Sequence, residues 1–97
     1  MKITLCIPLY NEEKILPDTV AQCKEFMSRY GDEGELLFID DGSKDGSLEI
    51  LRAAEDAHTR VITYTPNRGK GYAVRRGMLE GRGDFIIFTD CDLAYGL

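Results

Sequence analysis

The chain has 97 residues with a formal charge of −5, and 43% of them are hydrophobic against 30% charged. That length suits one small domain, the hydrophobic share excludes a disordered chain, and the acidic balance gives no electrostatic footing for nucleic acid. No apolar run approaches the ~20 residues of a membrane span, so no membrane segment is expected.

Taken in chain order, short apolar runs alternate with longer helical stretches. Residues 3–7, Ile-Thr-Leu-Cys-Ile, read as a buried strand that ends at Pro8. Over residues 15–30, Ile15, Leu16, Val20, Cys23, Met27 and Tyr30 recur on one helical face, with Pro17 tolerated in the first turn. Residues 36–39 form a second strand that runs into Asp40-Asp41, and a helix follows to about Ala57, with Asp45 or Ser47 as its cap. Residues 61–65 make a third strand, and Gly69-Lys70-Gly71 opens a helix that runs to about Glu80. Residues 85–89 make a fourth strand, which delivers Asp90-Cys91-Asp92. Strands that are apolar throughout, spaced by helices, predict an α/β fold: a Rossmann-like parallel sheet of four strands alternating with three helices, covered on both faces.

Ligands of open α/β sheets bind outside the carboxyl ends of the strands. All four strands here end in polar chemistry: Tyr10-Asn11-Glu12, Asp40-Asp41-Gly42-Ser43, Asn67-Arg68-Gly69-Lys70 and Asp90-Cys91-Asp92. Read as an extended segment, Asp90 and Asp92 point the same way and Cys91 the other, which suits one hard cation, Mg²⁺ or Mn²⁺. Asp40 and Asp41 can accept hydrogen bonds from a base and a ribose, or serve as plain turn residues. The basic, glycine-marked turn at residues 67–71 favours an anion, although its spacing is neither a dinucleotide fingerprint nor a P-loop. Tyr10 can stack on a base and Glu12 can bond a nucleoside. A phospho-receiver pocket would need acids after the first and third strands, where Pro8-Leu9-Tyr10 and Pro66-Asn67 stand, so that reading fails. His58, the sole histidine, falls in a loop at the opposite end and reads as a surface residue. The three cysteines (6, 23 and 91) have no metal-ligand spacing, and an odd, unpaired set suits a reducing cytoplasm.

In identity and order, Pro8-Leu9-Tyr10-Asn11-Glu12-Glu13, Asp40-Asp41-Gly42-Ser43-Lys44-Asp45-Gly46, Asn67-Arg68-Gly69-Lys70-Gly71 and Asp90-Cys91-Asp92 resemble family 2, GT-A type glycosyltransferases. The nearest flavour is that of the polyprenyl- and dolichyl-phosphate sugar transferases, and the resemblance covers essentially the whole chain. It implies inverting transfer of a sugar from a nucleoside-diphosphate sugar, UDP favoured over GDP, to an acceptor such as a lipid phosphate. It also implies that Pro8, Tyr10 and Glu12 line the nucleoside pocket, that Asp41 reads the base ring N–H with Asp40 nearby, and that Gly69 and Lys70 lie against the sugar-diphosphate. Asp90 then meets the ribose or the metal, and Asp92 ligates it. Cys91 stands where the family more often has a small residue such as Ala. The family's acceptor half and general base lie downstream of its Asp-x-Asp. The general base is therefore expected beyond Leu97, no catalytic residue is expected within the chain, and residues 1–97 are expected to be a donor-binding half. Such a half is expected to have little activity alone, to be prone to self-association, and to come from a protein at the cytoplasmic face of a membrane. The rival reading is a non-catalytic nucleotide-binding or assembly module.

Overall fold

The computed structural model describes residues 1–94. Leu97, beyond which the general base is expected, lies outside the described residues. The elements are β1 (Ile3–Leu9), α1 (Leu16–Ser28), β2 (Gly34–Asp40), α2 (Ser47–Ala54), β3 (Thr59–Thr63), α3 (Lys70–Glu80), β4 (Phe85–Phe88) and α4 (Cys91–Ala94). A short 3₁₀ turn, Gly31–Glu33, leads into β2. All pairings among these strands are parallel and the strand order is β3-β2-β1-β4.

The handedness of parallel crossovers explains where the helices lie. Steps from β1 to β2 and from β2 to β3 run in one direction, so right-handed connections put α1 and α2 on one face. The step from β3 back to β4 reverses direction, and α3 lands on the other face. Side-chain alternation follows the same division. Leu5, Ile7, Leu9, Leu36, Phe38 and Val61 pack with α1, α2 and α4, while Cys6, Leu37 and Ile39 pack with Ala73 of α3. The reversal places the topological switch point between β1 and β4, the crevice where such sheets bind ligands.

Three local features differ from the sequence expectation. Strand β1 continues through Pro8 to Leu9. Cys6 accepts from the Thr89 N–H on the β4 side, and Pro8, two residues on, faces the same side beyond the last β1–β4 pair, Cys6–Phe88. Its missing N–H therefore interrupts no ladder. Helix α2 closes at Ala54 and β3 opens at Thr59, both earlier than the pattern suggested. Finally, Asp90-Cys91-Asp92 is not extended: α4 begins at Cys91, and the Ala94 N–H donates to the Asp90 carbonyl at 2.8 Å. Cys91 is buried in the α1 side of the core, where the Thr19 hydroxyl donates to its carbonyl. Burial pushes the thiols of Cys6 and Cys23 up to about 12 and that of Cys91 to about 11, so all three stay protonated.

Candidate functional site

A cleft of about 270 Å³ opens at the switch point, lined by Pro8, Leu9, Tyr10, Glu12, Asp41, Lys70, Ala73, Asp90, Cys91 and Asp92. Seven of the nine site residues expected from sequence (Pro8, Tyr10, Glu12, Asp41, Lys70, Asp90 and Asp92) thus share one cleft. Asp40 and Gly69 are the two that do not line it.

Asp40 points to the α2 side of the sheet because strand residues alternate. It is 1% exposed, accepts the Thr63 hydroxyl at 2.8 Å and the Ser43 N–H at 3.1 Å, and so closes the β2–α2 turn. Asp41 faces the cleft side but is 4% exposed, and both of its oxygens are in use. One accepts the Tyr64 hydroxyl at 2.6 Å and the Arg68 N–H at 3.0 Å. The other accepts the Asn67 amide at 2.6 Å and the Gly69 N–H at 2.9 Å. Four donors fill a carboxylate's acceptor capacity. Asp41 thereby fixes the segment that launches α3, and a base N–H could bond it only if one of these donors yielded. Gly69 serves the same end: its φ of 93° is a conformation glycine adopts freely, and it turns the chain into Lys70. Tyr64 was not singled out from sequence and Asn67 was read only as the start of the basic turn at residues 67–71, since neither sits at a spacing that announces a carboxylate partner.

The first wall of the cleft is held by a lacing between two loops. Asn11, with a φ of 54°, donates its N–H to Ser43 Oγ at 2.9 Å and accepts the Lys44 N–H on its own side chain at 2.8 Å. The Glu12 N–H donates to Ser47 Oγ at 3.0 Å, and Glu13 Oε2 accepts the Gly46 N–H at 3.1 Å. Those bonds stand Tyr10 and Glu12 at the rim. Burial, and then the charges of Asp92 and Asp45, push the Glu12 carboxyl above its ordinary value of 4.5.

Asp90 and Asp92 still line the same cleft, although α4 begins at Cys91 where an extended segment was expected. Lys70, the first residue of α3, also lines it, with its ammonium 2.5 Å from Asp90 Oδ1. The chemistry is that of a pocket with an aromatic rim, several carboxylates, one ammonium and a helix N-terminus that has no side-chain cap among the described residues.

The family profile described as Glycosyl transferase family 2 matches residues 4–96. The chain belongs to that family. Among curated relatives, the undecaprenyl-phosphate 4-deoxy-4-formamido-L-arabinose transferase of Photorhabdus laumondii is 41% identical, over 95% of this chain and 29% of that protein. The chain thus spans about 29% of the length of the curated relatives it matches. Among solved structures, the Pyrobaculum calidifontis mannosyltransferase PcManGT, in complex with GDP-Man and Mn²⁺, superposes with a TM-score of 0.84. It is 24% identical, over 94% of this chain and 27% of that one, and so supports the fold alone. Glucosyl-3-phosphoglycerate synthase from Mycobacterium tuberculosis, with Mn²⁺, UDP and glucosyl-3-phosphoglycerate, gives 0.73 at 25% identity, over 93% and 33% of the two chains. The Rossmann-like, GT-A type fold is therefore that of this family 2 chain.

The family's divalent cation can be tested against the donor set. Among the described residues, no three or more His, Cys, Asp or Glu are gathered to hold a metal by themselves. Asp90 and Asp92 both line the cleft, and carboxylates are the donors that Mg²⁺ and Mn²⁺ take together with water and substrate phosphates. Among the described residues no helix is long and apolar enough to cross a membrane.

Proposed function

We propose that this family 2 chain is the donor-binding part of an inverting glycosyltransferase. It takes a nucleoside-diphosphate sugar, UDP-linked in preference to GDP-linked, and serves transfer to a lipid phosphate such as a polyprenyl phosphate. The observation that carries this reading is the convergence of Tyr10, Glu12, Lys70, Asp90 and Asp92 on one cleft at the switch point of the sheet. The lipid acceptor is supported by the undecaprenyl-phosphate relative, and the UDP preference by the synthase seen with UDP and Mn²⁺.

In this reading Pro8 and Tyr10 form the apolar side of the nucleoside pocket and Glu12 bonds the nucleoside. Asp41 shapes the floor through the segment it holds. Asp90 and Asp92 would hold Mg²⁺ or Mn²⁺, which supplies Lewis-acid stabilisation of the departing diphosphate. Lys70 and the first N–H groups of α3 add positive potential on the same side. In this reading these residues bind and orient the donor, and none of them is assigned the acceptor's proton.

Isothermal titration of the chain with UDP and GDP, each with and without Mn²⁺, tests the assignment. Saturable binding, tighter with Mn²⁺ and stronger for UDP, is expected. Asp92→Asn should remove the Mn²⁺ enhancement while leaving the circular dichroism spectrum unchanged. Absence of nucleotide binding, or equal Mn²⁺ enhancement in both proteins, would overturn the donor site or the role of Asp92 respectively.

A further inference from the structure

The ion pair between Lys70 and Asp90, both of which line the cleft, joins the first residue of α3 to a residue just past β4. Three observations make it more than a surface contact. A positive side chain at a helix N-terminus opposes the helix dipole, and the first turn of α3 contains no acid to offset it. Asp90 supplies the missing negative charge from another element, at 2.5 Å. In addition, among the described residues Lys70 is the one cationic side chain lining the cleft, against the four carboxylates of Glu12, Asp41, Asp90 and Asp92. While Lys70 stays on Asp90, its ammonium is committed to a carboxylate of the cleft and not to an incoming diphosphate. The pair is also easily exchanged, because its two side chains are 67% and 44% exposed and exposed pairs are weak.

We infer that Lys70 is a placeholder cation. It occupies Asp90 in the metal-free protein, gives Asp90 up to the divalent cation, and passes to the diphosphate of the donor. Metal and nucleotide binding are thereby coupled: the cation frees Lys70, and the diphosphate keeps Lys70 from returning. Coupling of this kind is reciprocal, so nucleotide must tighten metal as much as metal tightens nucleotide. This inference rests on the donor-site reading above.

Lys70→Met gives a signature that a structural role would not. Two titrations are needed: Mn²⁺ alone, followed by the paramagnetic resonance of the free ion, and UDP at saturating Mn²⁺, followed by calorimetry. The variant is expected to bind Mn²⁺ alone about three- to fivefold more tightly, because its competitor for Asp90 is gone. It should bind UDP about tenfold more weakly, because the diphosphate has lost its ammonium. Arg75→Met removes an equal charge from an exposed position on the same helix, and should change neither affinity by more than about twofold. Unchanged or weaker Mn²⁺ binding by Lys70→Met, with the parent binding Mn²⁺ normally, overturns the placeholder role alone. So does equal tightening in Arg75→Met, which would reduce the effect to bulk charge. If the parent itself takes up no Mn²⁺, the metal site and the placeholder role fall together.

Discussion

Asp40 and Asp41 show how far one position along a strand changes what a carboxylate does. The side-chain alternation of β2 sends Asp40 toward α2 and Asp41 toward α3, so one closes a turn and the other holds a loop. Their responses to neutralisation should differ accordingly. In Asp40→Asn the Thr63 hydroxyl can rotate to accept from the new amide, and the remaining oxygen keeps the Ser43 N–H, so a cost of about 1 kcal/mol or less is expected. In Asp41→Asn an NH₂ faces a backbone donor that cannot reverse, whichever way the amide is turned, because the Arg68 and Gly69 N–H groups lie on opposite oxygens. A buried N–H left without an acceptor costs about 1–3 kcal/mol, and hydrogen bonds to a charged group are the stronger kind, so the loss should be about 3 kcal/mol. Urea unfolding of the two variants compares them directly, and equal losses would contradict the account. The adjacent acids were legible in the sequence as a ligand-side pair. Their separate duties were not, because the partners Thr63, Tyr64 and Asn67 come from the end of β3 and the segment after it, more than twenty residues away.

At the scale of elements, the close approach of α3 to β1 is set by a residue with no side chain. A Cβ built on Gly77 would lie 2.4 Å from Cys6 Sγ and 2.9 Å from the Phe88 ring. Cys6 is fully buried in one of the two inner strands of the sheet and has no room to retreat. Gly77→Ala gains about 1 kcal/mol of helix propensity, but overpacking a tight core costs about 1–3 kcal/mol and here dominates. A net loss of about 1–2 kcal/mol in thermal or urea unfolding is expected from the balance of those two effects. Adding Cys6→Ala should recover part of it, giving a favourable coupling energy in a double-mutant cycle. Strict additivity would show that the sulfur is not what requires the glycine. The glycine-marked turn at residues 69–71 announces the helix around Gly77, but nothing in the sequence marks a position whose function is to be empty. The same limit explains α4. The spacing of Asp90 and Asp92 was visible, whereas the turn of helix that carries them depends on Cys91 packing against α1, a contact across more than sixty residues.

For the whole molecule, the parallel direction of the strands followed from apolar runs spaced by helices, whereas their order did not, because the β1–β4 pairing that makes the switch point joins residues 82 positions apart. What the sequence did not reveal is how the far end of the sheet is tied. Glu35 on β2 accepts the Thr4 hydroxyl of β1 at 2.7 Å, the Arg60 guanidinium of β3 at 2.5 Å and the Arg82 N–H ahead of β4 at 2.9 Å. One carboxylate thus joins three strands and the approach to the fourth. Burial alone would raise its pKa, but the bonds from Thr4, Arg82 and Arg60 outweigh it and hold the group below its ordinary 4.5. Asp45 is also held down: burial opposes it, while its bonds from Ser47 prevail. Asp56 is lowered chiefly by Lys24 and the His58 N–H. A carboxylate depressed by folding stabilises the native state above its unfolded pKa, and that contribution disappears as pH falls through the folded pKa. Glu12, raised in the cleft, acts in the opposite sense, against these three. Stability should therefore be flat from pH 7 to about 5 and fall progressively below about 4.5. Glu35→Gln should lower the urea midpoint at pH 7, where the charged network is intact in the parent, and should shallow the acid limb because one of its titrating groups is gone. Parallel pH curves for parent and variant would place the acid lability elsewhere, and would leave Glu35 as a packing residue whose charge the fold does not use.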